Sequence, residues 1–491
     1  MYIWKRIDDP NDFRKLSEIA AGREADFASA YNLDEVGERL AEGINETVKY
    51  MLIELSYVDK DYRSTFYHFY SKKGRHYKAD CLRVHFFDEH VSFDAASLSL
   101  TPQTGRLTDH YLGFVTIRPT FLFTIGRSIV SPRARRGAQG KLIVGKHKVH
   151  LLGYDLESKG FPWMQQHSDI SVCAHAACWA ILRHYSERYK KYRELLTHDV
   201  TRLAHPYDPG GLRPSKGLQL VHAERVLTEA GNYPVVNSVD QKADADKRKP
   251  FLKQMFAYLE SGFPLFLGIA GEHAVAAIGY KWREGLQPLA PGIRHAWEMV
   301  ESLVVADDNH LPYFALGETA VAPQRYKLDQ VHAYIAPLPD KIFYPADAVE
   351  TMSAMLPSLL TSVPFPQQDD LIIRYFITTA AALRRHMREH ETEFPQELVN
   401  VFMQLPMAQF VWVVEYATHD DWNANRVSVR AVVDATASVH DNDVLWAVYG
   451  KGVGLFFDRE HGEPPLELRW NVGAQSTFGR METNLQPVQA V

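Results

Sequence analysis

The stretch QQHSDISVCAHAACWAIL, residues 165–182, decides how the middle of this chain folds. Two glutamines lead into a polar turn, in which Asp169 and Ser171 are candidates for the N-cap of a helix because their side-chain oxygens can accept bonds from free backbone amides. A run of small apolar residues with helical spacing follows. The pattern therefore predicts a helix that carries Cys173 in its first turn.

A cysteine in the first turn of a helix lies at the positive end of the helix dipole, beside backbone N–H groups that have no partner within the helix. Both features favour the thiolate over the thiol, and the same N–H groups can bind a developing oxyanion. Such a nucleophile also needs a base, usually a histidine, and a third group that orients the imidazole. Cys173 is therefore a candidate nucleophile.

Candidates for the base and for the orienting group lie further along the chain. The segment GFPLFLGIAGEHAVAAIGY, residues 262–280, predicts two short strands joined at 270–272, and His273 opens the second strand. A histidine at the head of an apolar strand is costly to bury without a partner. The next strand, 302–306, is followed by Asp307 and Asp308, of which Asp307 is preferred as the first residue after the strand.

These segments resemble the papain-like cysteine peptidases, and in particular the bacteriocin-processing peptidase type. The resemblance is carried by Cys-x-x-Ala-Ala at the head of a helix after a glutamine, by a strand that begins His-Ala-Val and ends Gly-Tyr, and by an aspartate after the next strand. It spans roughly residues 150–340. It implies an α+β core in which the catalytic helix packs on an antiparallel sheet, with Cys173 as nucleophile, His273 as base and Asp307 as orienting residue.

The resemblance also implies a glutamine side chain that donates to the oxyanion. The family usually has this glutamine six residues before the cysteine, whereas Gln166 lies seven and Gln165 eight residues before Cys173. A second register is possible, because Cys178 opens a Cys-Trp-Ala sequence that matches papain itself. That register has no glutamine at the right distance, and it puts the thiol of Cys178 in mid-helix, away from the positive end of the dipole. Cys173 is therefore preferred.

The activity implied by the resemblance is that of a thiol protease, a hydrolase that cleaves a peptide or isopeptide bond of a peptide or protein substrate through a thioester and uses no cofactor. An amine acceptor in place of water would make the same site an acyl transferase, and a glutamine substrate would make it a deamidase. A third alternative is a catalytically silent papain-like binding module, which the displaced glutamine favours.

The length of the chain predicts more than one domain, since 491 residues exceed one ordinary core. We expect a mixed N-terminal region over 1–150, the papain-like domain over 151–340 and an α+β region over 341–491. The flanking regions are candidates for docking a regulatory protein partner. In them, helical periodicity predicts helices within 12–20 and 33–55 and a helix-rich segment over 341–392, whereas aromatic and β-branched runs predict strands at 65–70, 81–87, 111–118, 141–144 and within 407–458.

Composition indicates a globular chain in a reducing environment. Apolar residues make up 46% and charged residues 23% of the sequence. Only three cysteines occur, which predicts a cytoplasmic protein without a disulfide framework. A net charge of −6 gives no reason to expect a nucleic-acid partner, and the apolar runs are too short for a membrane span.

Two further patterns are interpreted as solvated surface. His386, Glu389 and His390 fit the H-x-x-E-H pattern of a zinc-hydrolase helix, but the neighbouring arginines make that face cationic and no third ligand stands out, so no metal is expected. The second pattern is a basic cluster, for which docking of an acidic partner is the alternative. Its members include Arg133, Arg135, Arg136, Lys141, Lys146 and Lys148.

Overall fold

The computed structural model describes residues 2–21, 31–122, 124–167, 170–206, 217–271, 273–283, 292–320, 325–441, 443–457, 464–471 and 477–489. Within these ranges the chain is a mixed α/β protein, in which three large and mostly antiparallel sheets are packed with helices. No described helix is both long and apolar enough to cross a membrane.

The strands, numbered in chain order, are β1 (Tyr2–Arg6), β2 (Tyr50–Tyr57), β3 (Cys81–Phe87), β4 (Val91–Asp94), β5 (Ser99–Pro102), β6 (Tyr111–Ile117), β7 (Ile125–Val130), β8 (Gly140–Leu142), β9 (Gly145–Leu151), β10 (Tyr154–Trp163), β11 (Tyr233–Ser238), β12 (Leu265–Ile269), β13 (His273–Trp282), β14 (Gly292–His295), β15 (Val300–Ala306), β16 (Phe314–Gly317), β17 (Val331–Leu338), β18 (Asp370–Thr379), β19 (Phe410–Ala417), β20 (Arg426–Val427), β21 (Val429–Asp434), β22 (Leu445–Gly450), β23 (Val453–Phe456), β24 (Leu466–Arg469), β25 (Phe478–Gly479) and β26 (Gln486–Val488).

The helices are α1 (Leu16–Ala21), α2 (Leu33–Gly43), α3 (Lys60–His68), α4 (Cys173–Arg188), α5 (Thr197–Ala204), α6 (Leu220–Glu229), α7 (Ala245–Glu260), α8 (Ala346–Leu359), α9 (Ala380–Glu389), α10 (Gln396–Gln404) and α11 (His419–Asn423).

The first sheet has the order β1-β2-β3-β6-β7-β10-β9 and is antiparallel throughout. Its last hairpin turns at Leu152 and Gly153, both with positive φ, as a two-residue turn between twisted strands requires. The boundary predicted between 150 and 151 therefore falls within a hairpin of this sheet. Because β10 ends at Trp163, the chain passes from the first sheet directly into the loop that precedes Cys173.

The central sheet has the order β11-β17-β12-β13-β15-β16, and α4 packs against its strand β13. Strand β8 pairs with β13 beyond the end of β12, and β26 in turn pairs with β8, so both flanking regions add a strand to this sheet. Gly279 permits the close approach of β8, since a Cβ at that position would lie 2.3 Å from the carbonyl oxygen of Lys141.

The third sheet, of order β14-β18-β19-β21-β22-β23-β24, belongs mainly to the C-terminal region, and its only parallel pair is β14 with β18 among the described strands. A buried ion cluster joins it to the end of α7: Arg374 on β18 bonds both Glu260 on α7 and Glu415 on β19. Arg430 on β21 bonds the same Glu415 at 3.0 Å. The charges of the two arginines and two glutamates thus cancel within a cluster that connects the central and C-terminal regions.

Three local predictions in the flanking regions are wrong. Residues 50–57 form β2 rather than the end of a helix, because both faces of this strand are buried and its apolar residues run nearly consecutively. Residues 65–68, within the strand predicted at 65–70, belong instead to α3. Asp59 caps the amide of Tyr62 in this helix, and aromatic residues recur at helical spacing against one cluster. Residues 370–379, within the segment predicted as helix-rich, form the doubly buried strand β18.

Candidate active site

Helix α4, which carries the candidate nucleophile, begins at Cys173, as predicted, but its N-cap differs from the prediction. Asp169 lies outside the described residues, and Ser171 pairs with His167 through two backbone hydrogen bonds of 3.0 and 3.2 Å instead of capping the helix. The side chain of His175, at the third position of the helix, reaches back and accepts a bond of 3.3 Å from the amide of Val172. Nδ1 of His175 therefore satisfies an amide just ahead of the nucleophile.

The three cysteines differ in accessibility. Cys81 and Cys178 are fully buried, and burial raises the pKa of Cys178 to about 12 and that of Cys81 well above its usual value. Cys173 is the one cysteine of the chain with partial exposure. The register that uses Cys178 as nucleophile is therefore wrong on steric grounds, since a substrate carbonyl has no access to that sulfur.

His273 opens β13 and lies between Cys173 and Asp307. Its Nε2 is 3.0 Å from Oδ1 of Asp307, and its ring also hydrogen-bonds the thiol of Cys173, for which Nδ1 is the remaining nitrogen. Burial alone would lower the pKa of His273, but the hydrogen bonds to Asp307 and Cys173 outweigh it and raise that pKa to about 11. The three predicted side chains are thus brought together from α4, β13 and the end of β15.

The carboxylate of Asp307 is fixed by its own loop. Oδ1 accepts hydrogen bonds from the backbone amide and the side-chain amide of Asn309, at 2.9 and 3.1 Å, in addition to that from His273. The carbonyl oxygen of Asp307 accepts 2.6 Å and 3.2 Å bonds from the indole of Trp163 and the amide of His310. Sequence reasoning missed Asn309, although an Asp followed two residues later by Asn is a usual sign of an Asx turn.

Asp308 is a second, buried carboxylate that does not pair with His273. The amides of Asp308 itself and of Gln166 point toward it and lower its pKa, but no described residue reaches either oxygen with hydrogen-bond geometry. Burial and the charge of Asp307 outweigh these amides and raise the pKa of Asp308 to about 7. Asp307, rather than Asp308, is therefore the aspartate that orients the imidazole.

His273, Asp307 and Asp308 are also the one group of three possible metal ligands with converging atoms among the described residues, within 4.8 Å of one another. The H-x-x-E-H residues do not converge. Nε2 of His386 faces the guanidinium of Arg430 at 3.3 Å, Nδ1 of His390 bonds the carbonyl of His386, and Glu389 points into solvent. Burial and Arg430 lower the pKa of His386 to about 3. The alternative zinc site is therefore wrong, because the positively charged guanidinium of Arg430 lies where a metal ion would bind Nε2 of His386.

The two candidate glutamines have different environments. Gln165 is fully buried, and its side-chain oxygen accepts a bond of 2.8 Å from the amide of Ile125 at the start of β7. A fully buried amide does not reach a substrate oxygen, so Gln165 anchors the loop. Gln166 is partly exposed and remains the candidate oxyanion donor. The position six residues before Cys173 is occupied by His167, which is buried.

Arg118 fixes this loop from the N-terminal region. Its guanidinium donates to the carbonyls of Gln165 and Gln166, at 3.2 and 3.1 Å, and to Nε2 of His167. The other ring nitrogen of His167 lies 3.2 Å from the hydroxyl of Tyr70. Burial and Arg118 hold the pKa of His167 well below its usual value, so this imidazole stays neutral. Sequence reasoning missed Arg118, because nothing near it in the sequence signals a distant loop.

Tyr326 covers the imidazole of the site. Its ring stacks on that of His273 with a centroid distance of 4.8 Å and an interplanar angle of 18°. A stacked aromatic pair is favourable beyond the area that it buries, so Tyr326 stabilises this orientation of the imidazole. No sequence pattern marks Tyr326, which lies outside every regular element.

Comparison of the chain with protein-family models, with curated proteins and with solved structures finds no match.

Proposed function

We propose that the protein is a papain-like cysteine peptidase, a thiol hydrolase that cleaves a peptide or isopeptide bond in a peptide or protein substrate. One observation carries the proposal: the imidazole of His273 bonds the thiol of Cys173 on one side and the carboxylate of Asp307, at 3.0 Å, on the other. Acylation of a thiol requires this order of groups, in which the base lies between the nucleophile and the orienting group. The packing of α4 on an antiparallel sheet supports a papain-like core.

In the proposed reaction, His273 holds the proton of Cys173 before the substrate binds, in keeping with its raised pKa, and Asp307 stabilises this imidazolium through Nε2. The thiolate adds to the substrate carbonyl, whose oxyanion is bound by the amide of Cys173 at the helix N-terminus and by the side chain of Gln166. Collapse of this intermediate breaks the C–N bond, and His273 gives its proton to the leaving amine. Water, deprotonated by His273, then attacks the thioester and releases the acid and the free thiol.

Selective alkylation tests the dyad. Near pH 6 an ordinary thiol, with a pKa of about 8.5, is almost wholly protonated and reacts slowly with iodoacetamide. We expect rapid modification of Cys173, located by peptide mapping, and its loss in His273→Ala. Equal and slow labelling of the parent and of the His273→Ala variant would overturn the proposal.

Product analysis separates hydrolysis from transfer. A denatured protein substrate is incubated with the enzyme and a tagged primary amine, and new amino termini, tagged products and released ammonia are measured. New amino termini that are absent with Cys173→Ser support a peptidase. Incorporated amine or ammonia without cleavage would show an acyl transferase or a deamidase at the same thiol.

A further inference from the structure

The acid loop, defined here as residues 307–313 between β15 and β16, is held by side chains of the N-terminal region. The loop carries Asp307 at its first position and ends at Tyr313. Its backbone carbonyls receive donors from helix α2 and from the segment between β7 and β8. These two sets of donors lie outside the segment 151–340 that resembles a peptidase, whereas Trp163, which donates to the carbonyl of Asp307, lies within it.

Arg135 makes the most extensive of these contacts. It is 7% exposed, and its guanidinium donates to the carbonyls of Pro312 at 3.0 Å and Leu311 at 3.5 Å. The same group donates at 2.8 Å to the carbonyl of Gly43, the last residue of α2. None of the described carboxylates forms an ion pair with Arg135. Apart from a bond of 2.9 Å to the carbonyl of Arg136, its planar fork joins α2 to the acid loop.

Gly43 lies at the contact between the two segments. A Cβ at position 43 would lie 2.5 Å from the side chain of Leu311, so this side chain of the acid loop packs directly against the backbone of α2. Burial and Arg136 lower the pKa of Arg135 to about 10, which leaves the guanidinium charged at neutral pH. The sequence-based interpretation of Arg135 as part of a solvated basic surface is therefore wrong.

Arg39 extends the connection to the catalytic aspartate. Its guanidinium, held by Glu35 at 3.1 Å one helical turn earlier, donates to the carbonyl of Asn309. The two amide groups of Asn309 bind Oδ1 of Asp307, which bonds Nε2 of His273. A continuous series of hydrogen bonds thus runs from α2 to the base.

The end of the acid loop is fixed in a strained conformation. Tyr313 has a φ of 72°, which costs a non-glycine residue about 1 kcal/mol or more and persists only when contacts enforce it. Its hydroxyl donates to the carbonyl of Val130 at 3.0 Å and accepts from the amide of Phe161 at 2.7 Å. Both partners lie on the first sheet, so this sheet sets the position of the loop.

We propose that Arg135 and Arg39 are positioning residues of the site: they hold the acid loop so that Asp307 faces His273, and the catalytic unit therefore includes the N-terminal region. This inference rests on the proposed function. Its physical basis is that catalysis by a triad needs close alignment, and a displacement of about 1 Å can cost a factor of about 100 in rate.

The first test is a double-mutant cycle in the full-length protein. We expect Arg135→Ala and Asp307→Asn each to slow alkylation of Cys173 on the order of 10–100-fold, and Arg135→Ala to add little when Asp307 is already replaced. Arg133→Ala is the matched control, because Arg133 carries the same charge two residues away with a side chain that is 56% exposed. If the effects of Arg135→Ala and Asp307→Asn on the free energy of activation for alkylation were fully additive, the proposal would be overturned.

Chemical rescue separates positioning from damage to the fold. Arg135 lines a groove of about 490 Å³ that opens beside the acid loop, so a small cation can enter the space its side chain leaves. We expect guanidinium ion at low, non-denaturing concentration to restore alkylation in Arg135→Ala, and sodium ion to have no effect. If Arg135→Ala does not fold, Arg39→Ala replaces it in the cycle, since the Arg39 side chain is 26% exposed and lies outside the core.

A measurement without turnover separates failure of this inference from failure of the proposed function. The pKa of His273, followed by NMR of labelled histidine, should fall in both Arg135→Ala and Asp307→Asn, whatever reaction the site performs. A pKa of His273 in Arg135→Ala equal to that of the parent would overturn the positioning role. Alkylation of Cys173 that is independent of His273 would instead overturn the peptidase proposal alone.

Discussion

The indole nitrogen of Trp163 donates a hydrogen bond of 2.6 Å to the backbone carbonyl of Asp307. Trp163 is the last residue of β10 in the first sheet, whereas Asp307 follows β15 in the central sheet. The strand that leads to Cys173 therefore bonds directly to the residue that holds His273. In the proposed triad, this bond makes the alignment of the three side chains depend on the packing of two sheets.

The first prediction concerns this bond. Trp163→Phe keeps most of the ring but removes the donor, and we expect a loss of about 1–3 kcal/mol of unfolding free energy together with slower alkylation of Cys173. Trp412→Phe is the matched control, because the indole of Trp412 donates at 2.8 Å to the carbonyl of Tyr344 in the C-terminal region. The control should lose similar stability in urea and keep its alkylation rate, and equal rates in both variants would contradict the prediction.

The second prediction distinguishes the adjacent aspartates. Asp307→Asn removes the negative charge that stabilises the imidazolium, so alkylation of Cys173 at pH 6 should fall by more than about tenfold. Asp308→Asn removes a carboxyl group that does not contact His273, and the rate should stay within about threefold of the parent. Rates of alkylation, measured by mass spectrometry of the Cys173 peptide, distinguish the two aspartates. A larger loss of rate in Asp308→Asn would show that Asp308, not Asp307, orients His273.

The third prediction is a pH dependence of stability from Asp308. Its pKa is raised from 3.8 to about 7 in the folded protein, chiefly by burial, so the unfolded chain releases this proton at lower pH. The unfolding free energy that Asp308 contributes is fully present below pH 3.8 and is lost as pH rises through about 7. The parent should lose about 4 kcal/mol over that interval from this group, and Asp308→Asn should be the more stable protein at pH 8.

The check is urea unfolding of the parent and Asp308→Asn at pH 5 and pH 8. Asp347→Asn is the control, since Asp347 is an exposed aspartate in the first turn of α8. A stability difference between the parent and Asp308→Asn that does not change with pH would show that Asp308 is not titrating in this range.

The sequence predicted those parts of the site that carry local signals. The start of α4 at Cys173, the start of β13 at His273 and the end of β15 before Asp307 all follow from apolar periodicity and turn residues. The prediction for β2 was wrong because both faces of this strand are buried, so apolar and polar residues do not alternate along it. The prediction for α3 was wrong because its aromatic residues are typical of a strand.

The residues that hold the site in place could not be predicted in the same way. Arg118, Arg135 and Tyr326 act on partners that are distant in sequence. Arg118 follows a strand and the other two lie in loops, and in no case do the neighbouring residues indicate the partner. The roles of Arg118 and Arg135 follow from how the N-terminal region packs on the central region, and that of Tyr326 follows from how the segment between β16 and β17 lies over β13. A single sequence contains no periodic signal for that arrangement, since periodicity reports which face of an element is buried and not what covers it.

The last prediction concerns the buried ion cluster of the third sheet. Glu415 accepts bonds from Arg374 at 2.6 Å, from Arg430 at 3.0 Å and from the amide of Met481 at 2.9 Å. Burial would raise the pKa of Glu415, but the two arginines outweigh it and lower that pKa to about 2. Glu415 therefore stays ionised down to strongly acidic pH, and it neutralises one of two buried guanidinium groups.

Glu415→Gln leaves Arg374 and Arg430 with Glu260 as the sole carboxylate of the cluster. Removing one partner of a buried ion pair typically costs about 3–5 kcal/mol, because an uncompensated charge remains buried. We expect a loss of this size in urea unfolding at pH 7, whereas Glu467→Gln, at an exposed ion pair with Arg469, should change stability by less than about 1 kcal/mol. Since the cluster joins α7 to β18, unfolding of Glu415→Gln should also expose proteolytic sites in the C-terminal region before alkylation of Cys173 is lost. If protease resistance of the C-terminal region and alkylation of Cys173 were lost at the same urea concentration, the third sheet and the site would unfold as one unit.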